Sequence, residues 1–263
     1  MKHVTAPIDY LLHLADNALV LGQRNAEWCG HGPILEEDIA MSNISLDLIG
    51  QARLLYQHVA TLKNDGSTED RLAYFRDAAE FRNYTLLELP HHGPLVGYAL
   101  DNRDYATTIV RNFLYSALMA LVWEQLQQAQ DAQLAAIASK SLKEVRYHLR
   151  HSRDWMIRMG DGTELSHRKA QDALDHLMPY TQEFWQGSDF EAQAVQCGCG
   201  VDRATLHTNW LALAQEAATQ AGLLLSSDEG YVTTGKQGVH SEHLSFLLAE
   251  MQSLARAHPQ GVW

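Results

Sequence analysis

The stretch KEVRYHLRHSRDW, residues 143–155, places one glutamate, two histidines and three arginines on what its spacing predicts to be a single helix. Helix bundles hold two iron ions with Glu-x-x-His pairs, because side chains three apart point from one helical face. Here Glu144 lies four residues before His148, and the position three before His148 is Val145. The stretch therefore fits an intact metal site, the remains of one, or a polar stripe on a solvated helix.

Long helices must position these side chains. The chain contains six prolines, which fall mainly near expected helix ends, and its apolar residues recur with the helical period. The predicted long helices run from after Thr5 to about residues 29–33, from 35 to 63, from 102 to 129, and from a cap at Asp131 to about 160–162. Such lengths exceed the globular mean of about 11 to 12 residues and indicate an up-and-down bundle. The connection of about 38 residues between the second and third helices suits the long crossover of a ferritin-like fold.

Shorter helices complete an all-α prediction without convincing strands or internal repeats. We expect them to be capped by Thr68, Ser166 and Asp202, with a last helix from about Gly238 to His258. The predicted organisation is one domain over residues 1–263, with a core bundle over about 5–162 and additional C-terminal helices decorating it over about 163–263.

Apolar residues at helical spacing predict which face of each long helix points inward. On the fourth helix this seam contains Val145 and His148 where a ligand pair would read Glu-x-x-His. On the second helix the corresponding residues are Leu48 and Gln51, and the third helix presents Ser116. The sequence therefore predicts an eroded di-metal site, of whose ligands only His148 remains, and no catalytic, cofactor-binding or metal-binding residue in this chain.

A competing prediction keeps the metal. Asp47 and Glu144 each lie one position before a seam residue, so a small helix rotation would turn them inward, joined by Glu124 and His148. That rotation exposes the apolar seam at a cost of roughly 1.5–3 kcal/mol for each large side chain. Without it, Glu144 is expected to pair with a nearby arginine such as Arg146, since a buried carboxylate needs a partner.

Composition narrows the class of protein. The formal net charge of −12 disfavours nucleic acid as a partner, because most of the surface would repel a polyanion. No apolar run approaches the roughly 18 residues that a membrane helix needs, and acidic residues interrupt the apolar N-terminal stretch as no signal peptide allows. Three cysteines cannot build a disulfide framework, and the spacing of Cys197 and Cys199 is shorter than zinc sites use. We therefore expect a soluble protein of the reducing cytoplasm.

Six stretches along nearly the whole chain carry a resemblance to a known family: APIDYLL, DNALVLGQRNAEWCGHGP, LDLIGQAR, QLAAIASKSLKEVRYHLRHS, TGKQGVHSEHL and LAEMQ. The sequence resembles the structural, non-catalytic subunits of phenylacetyl-CoA ring 1,2-epoxidases, multicomponent monooxygenases of aerobic phenylacetate catabolism. The resemblance implies a ferritin-like fold in a heteromeric complex, whose related catalytic subunit holds a di-iron centre and inserts one oxygen atom into the aromatic ring. In that catalytic relative, Glu-x-x-His stands where this chain has Leu48 with Gln51 and Val145 with His148, so the family's metal ligands cannot be carried over.

Two polar features are candidates for binding. The segment 231–244 joins a Gly-rich loop to a helix start, where Lys236, His240 and His243 would contact an anion, part of a CoA or a partner carboxylate. The alternative is a capped loop that docks on the bundle. The arginine cluster of the fourth helix is either a solvated face or a contact with an acidic partner. Trp263 at the C-terminus is a candidate interface anchor.

Three functions remain open. The first is a scaffold subunit of an oxidoreductase complex, not catalytic by itself, which binds no cofactor and pairs with the di-iron subunit and with any further subunits. The second is an active di-metal oxidase or oxygenase that uses Asp47, Glu124, Glu144 and His148. The third is a standalone helical binding module.

Overall fold

The computed structural model describes residues 4–92, 103–227 and 229–261, and this part of the chain is helical with no β-strand. The α-helices are α1 (Ile8–Ala26), α2 (Leu35–Lys63), α3 (Glu69–Tyr74), α4 (Thr85–Glu88), α5 (Tyr105–Leu126), α6 (Ala132–Gly160), α7 (Glu164–Leu177), α8 (Asp189–Gln196), α9 (His207–Gln220) and α10 (Glu242–Ala257). The all-α prediction is confirmed. Part of the predicted crossover, residues 93–102, and Trp263 lie outside the described residues.

The ends of the long helices follow local chemistry. α2 ends where Asn64 adopts the left-handed conformation, with φ of 48°, which asparagine tolerates better than most residues. α6 begins where the Asp131 carboxylate accepts hydrogen bonds from the backbone N–H groups of Gln133 and Leu134. Both boundaries were predicted from the sequence.

Several shorter elements differ from prediction. Thr163, not Ser166, is the N-cap of α7, and the Ser166 hydroxyl accepts from the Thr163 N–H to complete a capping box. The last helix begins at Glu242 rather than near Gly238, because residues 235–237 form a separate 3-10 turn. α8 was not predicted, since eight residues give too little periodicity to recognise.

The chain divides into two compact units. Of the described residues, the N-terminal unit combines 5–89 with 233–261, and the central unit combines 4, 90–92, 103–227 and 229–232. In the N-terminal unit α1 packs along α2, and α10 packs against α3; in the central unit α5 packs along α6, with α7 and α9 against both. The last helix therefore belongs with the first two. The prediction of one domain with a core ending near residue 162 stays a prediction.

The paired helices approach each other closely at glycines, which have no side chain. A Cβ added to Gly22 of α1 would lie 3.1 Å from Ile49 Cγ1 of α2, and one added to Gly160 of α6 would lie 2.2 Å from the Ala221 carbonyl oxygen. The second distance is shorter than any real contact of that kind. Glycine is therefore required at Gly160 for α6 to reach the end of α9.

α5 is the most apolar helix of the central unit. Among the described residues, it is the one helix that is long and apolar enough to cross a membrane. From the sequence we expected no segment of that kind, and this expectation is corrected. Its most apolar window is 89% buried inside the protein. A core helix of a globular protein has the same composition, so the property is weak evidence for a membrane span.

Candidate functional site

The predicted remnant of a metal site on α6 is buried. Val145 and His148 are each 2% exposed, and the His148 carbonyl accepts a hydrogen bond from the Ser152 hydroxyl at 2.7 Å. The buried seam of α6 also contains Leu142 and Met156, as predicted, whereas the predicted member Leu149 is only half-buried. The stretch thus turns an aliphatic side chain inward three residues before its histidine.

The corresponding residues of α2 and α5 are also buried. Leu48 and Gln51 on α2 are both 2% exposed, and Ser116 on α5 is buried as well. None of these three side chains offers the carboxylate or imidazole that an iron pair requires. Each of these positions is therefore buried within its own unit, and the eroded di-metal site stays a prediction.

The carboxylates of the competing metal prediction have other partners. Glu124 lies 3.3 Å from Arg146 with both side chains about 60% exposed, and Glu144 lies 2.7 Å from Lys140, one helical turn earlier. Arg146, the arginine expected to pair with Glu144, is thus joined to Glu124. Asp47 is half-buried on α2. Within the central unit, Glu124 and Glu144 are engaged by cations of α6.

The described residues contain no group of three or more His, Cys, Asp or Glu side chains placed to hold a metal ion. A di-metal centre of the carboxylate type needs six such ligands. This finding concerns side chains rather than metal content, and the absence of metal from this chain stays a prediction.

A buried ion pair inside the N-terminal unit was not predicted from the sequence. Asp16 on α1 is fully buried, and its carboxylate accepts hydrogen bonds from both terminal nitrogens of Arg76, from the Tyr56 hydroxyl at 2.5 Å and from the Arg82 N–H at 2.7 Å. Arg76 also lies over the Phe81 ring, 4.2 Å from its centroid. The cluster thus provides hydrogen-bond donors for the Asp16 carboxylate, which interrupts the apolar pattern of α1.

The ionisation of this cluster follows from its burial. Burial raises the pKa of Tyr56 well above its usual value, and the neighbouring Asp16 carboxylate raises it further. For Arg76 burial lowers the pKa, but the charges and hydrogen bond of its acidic neighbours, Asp16 first among them, together outweigh burial, and the net pKa is raised. Tyr56 therefore stays neutral and Arg76 charged, which is the arrangement of a structural ion pair rather than of a proton donor at neutral pH.

From residue 233 onward, the predicted anion-binding segment packs against helices of the N-terminal unit, to which it belongs. The Glu88 carboxylate accepts the Ser241 N–H at 2.6 Å, at the start of α10, and lies 2.8 Å from His240 Nδ1. His240 Nε2 faces the Phe81 carbonyl at 3.1 Å. Both ring nitrogens of His240 therefore face oxygen atoms of the same unit. The Glu88 carboxylate thus lies at the start of α10, where the sequence analysis predicted an external anion.

Lys236 and His243 take part in the same docking. Lys236 is 1% exposed, with its Nζ 5.7 Å from the centroid of the Tyr84 ring. His243 is half-buried, and its carbonyl accepts from Arg24 at 3.2 Å. These contacts agree with the alternative of a docked loop. An external anion or partner at Lys236, His240 and His243 stays a prediction.

Comparison with known proteins supplies the remaining finding. The family described as phenylacetic acid catabolic protein matches residues 1–263 of the chain. A protein of Escherichia coli (strain K12), named as one of the subunits of 1,2-phenylacetyl-CoA epoxidase, is 41% identical over 263 residues, which cover 100% of this chain and 100% of that protein. These matches confirm the resemblance carried by the sequence motifs.

Proposed function

We propose that this chain, which belongs to the family of phenylacetic acid catabolic proteins, is a non-catalytic scaffold subunit of a phenylacetyl-CoA 1,2-epoxidase and pairs with the di-iron catalytic subunit of that complex. The observation that carries the proposal is the full-length identity of 41% with a protein named as one subunit of such an epoxidase. Because that name designates one subunit among several, the function includes assembly with other chains.

The non-catalytic role is supported by the side chains at the inward positions. A di-iron pair needs bridging carboxylates, and of the five positions named from the sequence, Leu48, Gln51, Ser116 and Val145 offer neither carboxylate nor imidazole, and His148 offers an imidazole. Apolar packing at such positions makes the fold independent of iron, whereas a metal-coupled fold loses stability when the metal is removed. The epoxidation chemistry is therefore assigned to the partner subunit.

The fold family and the cellular location belong to the same proposal. Two pairs of long helices, α1 with α2 and α5 with α6, support a ferritin-like fold. Cys29, Cys197 and Cys199 are free thiols, and burial raises the pKa of Cys199 to about 12, which makes it unreactive. Unpaired cysteines fit the reducing cytoplasm.

Co-purification tests the proposal. The chain, carrying an affinity tag, is co-expressed with each other subunit of the epoxidase in turn, and subunit stoichiometry and iron are measured after purification. We expect stable retention of the catalytic subunit, with iron present only when that subunit is present. About two iron ions bound to this chain alone, or loss of every other subunit at moderate salt, would contradict the proposal.

A further inference from the structure

One face of α6 is basic, aromatic and exposed. Lys143, Tyr147, Arg150, Asp154 and Arg158 follow one another at steps of four, three, four and four residues, which places them along one side of the helix, and all five are exposed. We call this set the basic face of α6. At 1.5 Å per residue it extends over about 22 Å.

Aromatic rings support its arginines in a repeated arrangement. The Arg150 guanidinium carbon lies 5.7 Å from the centroid of the Tyr147 ring, and that of Arg158 lies 5.4 Å from the centroid of the Trp155 ring. Each ring precedes its arginine by three residues, and the second pair follows the first by eight. A cation–π contact of this kind contributes about 0.5–1 kcal/mol at an exposed site. The contact orders the guanidinium without neutralising its charge.

The cations of the basic face differ from the other cations of α6 in their pairing. Elsewhere on the helix the ion pairs are Lys140 with Glu144, Arg146 with Glu124 and Arg153 with Glu216. Within the described residues, by contrast, no carboxylate lies within ion-pair distance of Lys143, Arg150 or Arg158, and Asp154 between the two arginines pairs with neither. The face therefore keeps a net positive charge on a protein with a net charge of −12.

We infer that the basic face of α6 is a docking surface for an acidic face of another subunit of the same assembly. This inference rests on the proposed function, because it requires that the chain be one subunit among several. Charge complementarity selects an acidic partner, and the acidic remainder of the chain repels a long polyanion such as nucleic acid. A length of about 22 Å fits a standard protein contact of about 800 Å² on each side. Arginine and tyrosine are enriched among the residues that dominate binding at such contacts.

Charge reversal tests the inference. The full-length variant Lys143→Glu, Arg150→Glu, Arg158→Glu is compared with the wild type and with a control carrying the same charge change at exposed cations off this face, Arg53→Glu, Arg71→Glu, Arg168→Glu. Association with the other epoxidase subunits, purified without this chain, is followed by biolayer interferometry at about 50 and 500 mM salt. We expect the face variant to associate about tenfold more slowly at low salt, with a weaker salt dependence, and the control to remain within about twofold of the wild type.

Each outcome has one meaning. If the wild type binds another subunit and the face variant binds it equally well, the inference is wrong while the proposed function stands. If the wild type binds no subunit, both fail. Binding of duplex DNA or of vesicles with about 30% phosphatidylserine that depends on the basic face, with unchanged subunit binding, would replace the acidic protein partner by a polyanion. A neutral variant, Lys143→Gln, Arg150→Gln, Arg158→Gln, should also slow association, but less than the charge-reversed variant. If the charge-reversed chain does not fold, the neutral variant decides the test. Association of the neutral variant at the wild-type rate would then overturn the inference.

Discussion

Removing the Asp16 carboxylate should destabilise the protein far more than removing a surface carboxylate. In Asp16→Ala the buried Arg76 loses two hydrogen bonds and its counter-charge, while Tyr56 and the Arg82 N–H lose their acceptor. Breaking a buried pair by removing one partner costs about 3–5 kcal/mol, because an uncompensated charge remains in the interior.

The contacts that Arg76 keeps in Asp16→Ala place the expected loss of stability at the lower end of this range. The guanidinium still donates to the Leu72 carbonyl at 2.6 Å and to the Glu80 carbonyl at 2.9 Å, and it still faces the Phe81 ring. We therefore expect a loss of about 3 kcal/mol. The double variant Asp16→Leu, Arg76→Met removes both charges and should recover most of that loss, since apolar side chains of similar volume often replace a buried pair at little cost.

Urea unfolding of Asp16→Leu, of Arg76→Met and of the double variant that combines them gives the coupling energy of the pair. Glu124→Ala is the control, because Glu124 and Arg146 form an exposed pair whose loss should cost at most about 1 kcal/mol. A cost for Asp16→Ala below that of the control would contradict a stabilising buried pair, and so would a double variant as unstable as the sum of the Asp16→Leu and Arg76→Met losses.

Three further variants probe the inward positions, the docked segment and a half-buried histidine. Val145→Glu should lower the free energy of unfolding at neutral pH by about 3–5 kcal/mol, with no recovery on adding Fe(II), because a carboxylate would be buried without ligands around it. Glu88→Gln should cost about 1–3 kcal/mol and raise deuterium uptake over residues 233–261, since Ser241 and His240 lose a charged acceptor. Burial, and then the charges of Arg111 and His92, lower the pKa of His176, so stability should fall as pH drops below the unfolded value of about 6.5, and less so in His176→Gln.

Each of these expectations has an opposing result. Stabilisation of Val145→Glu by Fe(II) would indicate ligands that the described residues do not provide. Uptake in Glu88→Gln that rises equally over α5 and α6 would indicate general loosening rather than release of the docked segment. For the histidine, wild-type and His176→Gln unfolding midpoints that fall in parallel between about pH 7 and 5 would contradict the burial argument.

The long helices were predictable because their ends are set by nearby residues. The Asp131 cap and the left-handed Asn64 depend on a few neighbours in sequence, so the bounds of α6 and α2 could be obtained without a structure. The inward positions Leu48, Val145 and His148 followed from the helical period alone. Thr163 was missed as a cap because Ser166 offers the same chemistry three residues later.

The polar interior was not predictable, because it depends on residues far apart in sequence. Asp16 is satisfied by Arg76, 60 residues away, and His240 by Glu88, 152 residues away. Helical periodicity identifies a charged residue at an inward position, but it does not identify the distant residue that pairs with it. Lys236 is the clearest case, since burial of a lysine is rare and nothing in the loop sequence indicates it.

Iron content in a purified pair tests the scaffold assignment most directly. This chain is expressed alone and together with the catalytic epoxidase subunit, and iron and subunit ratio are measured on the same preparations, together with epoxidation of phenylacetyl-CoA when O2 and a two-electron reductant are supplied. We expect the chain alone to be folded, iron-free and inactive, and the complex to be active with about two iron ions per catalytic subunit. Iron bound stoichiometrically by this chain alone, or epoxidation without the partner, would contradict the scaffold assignment.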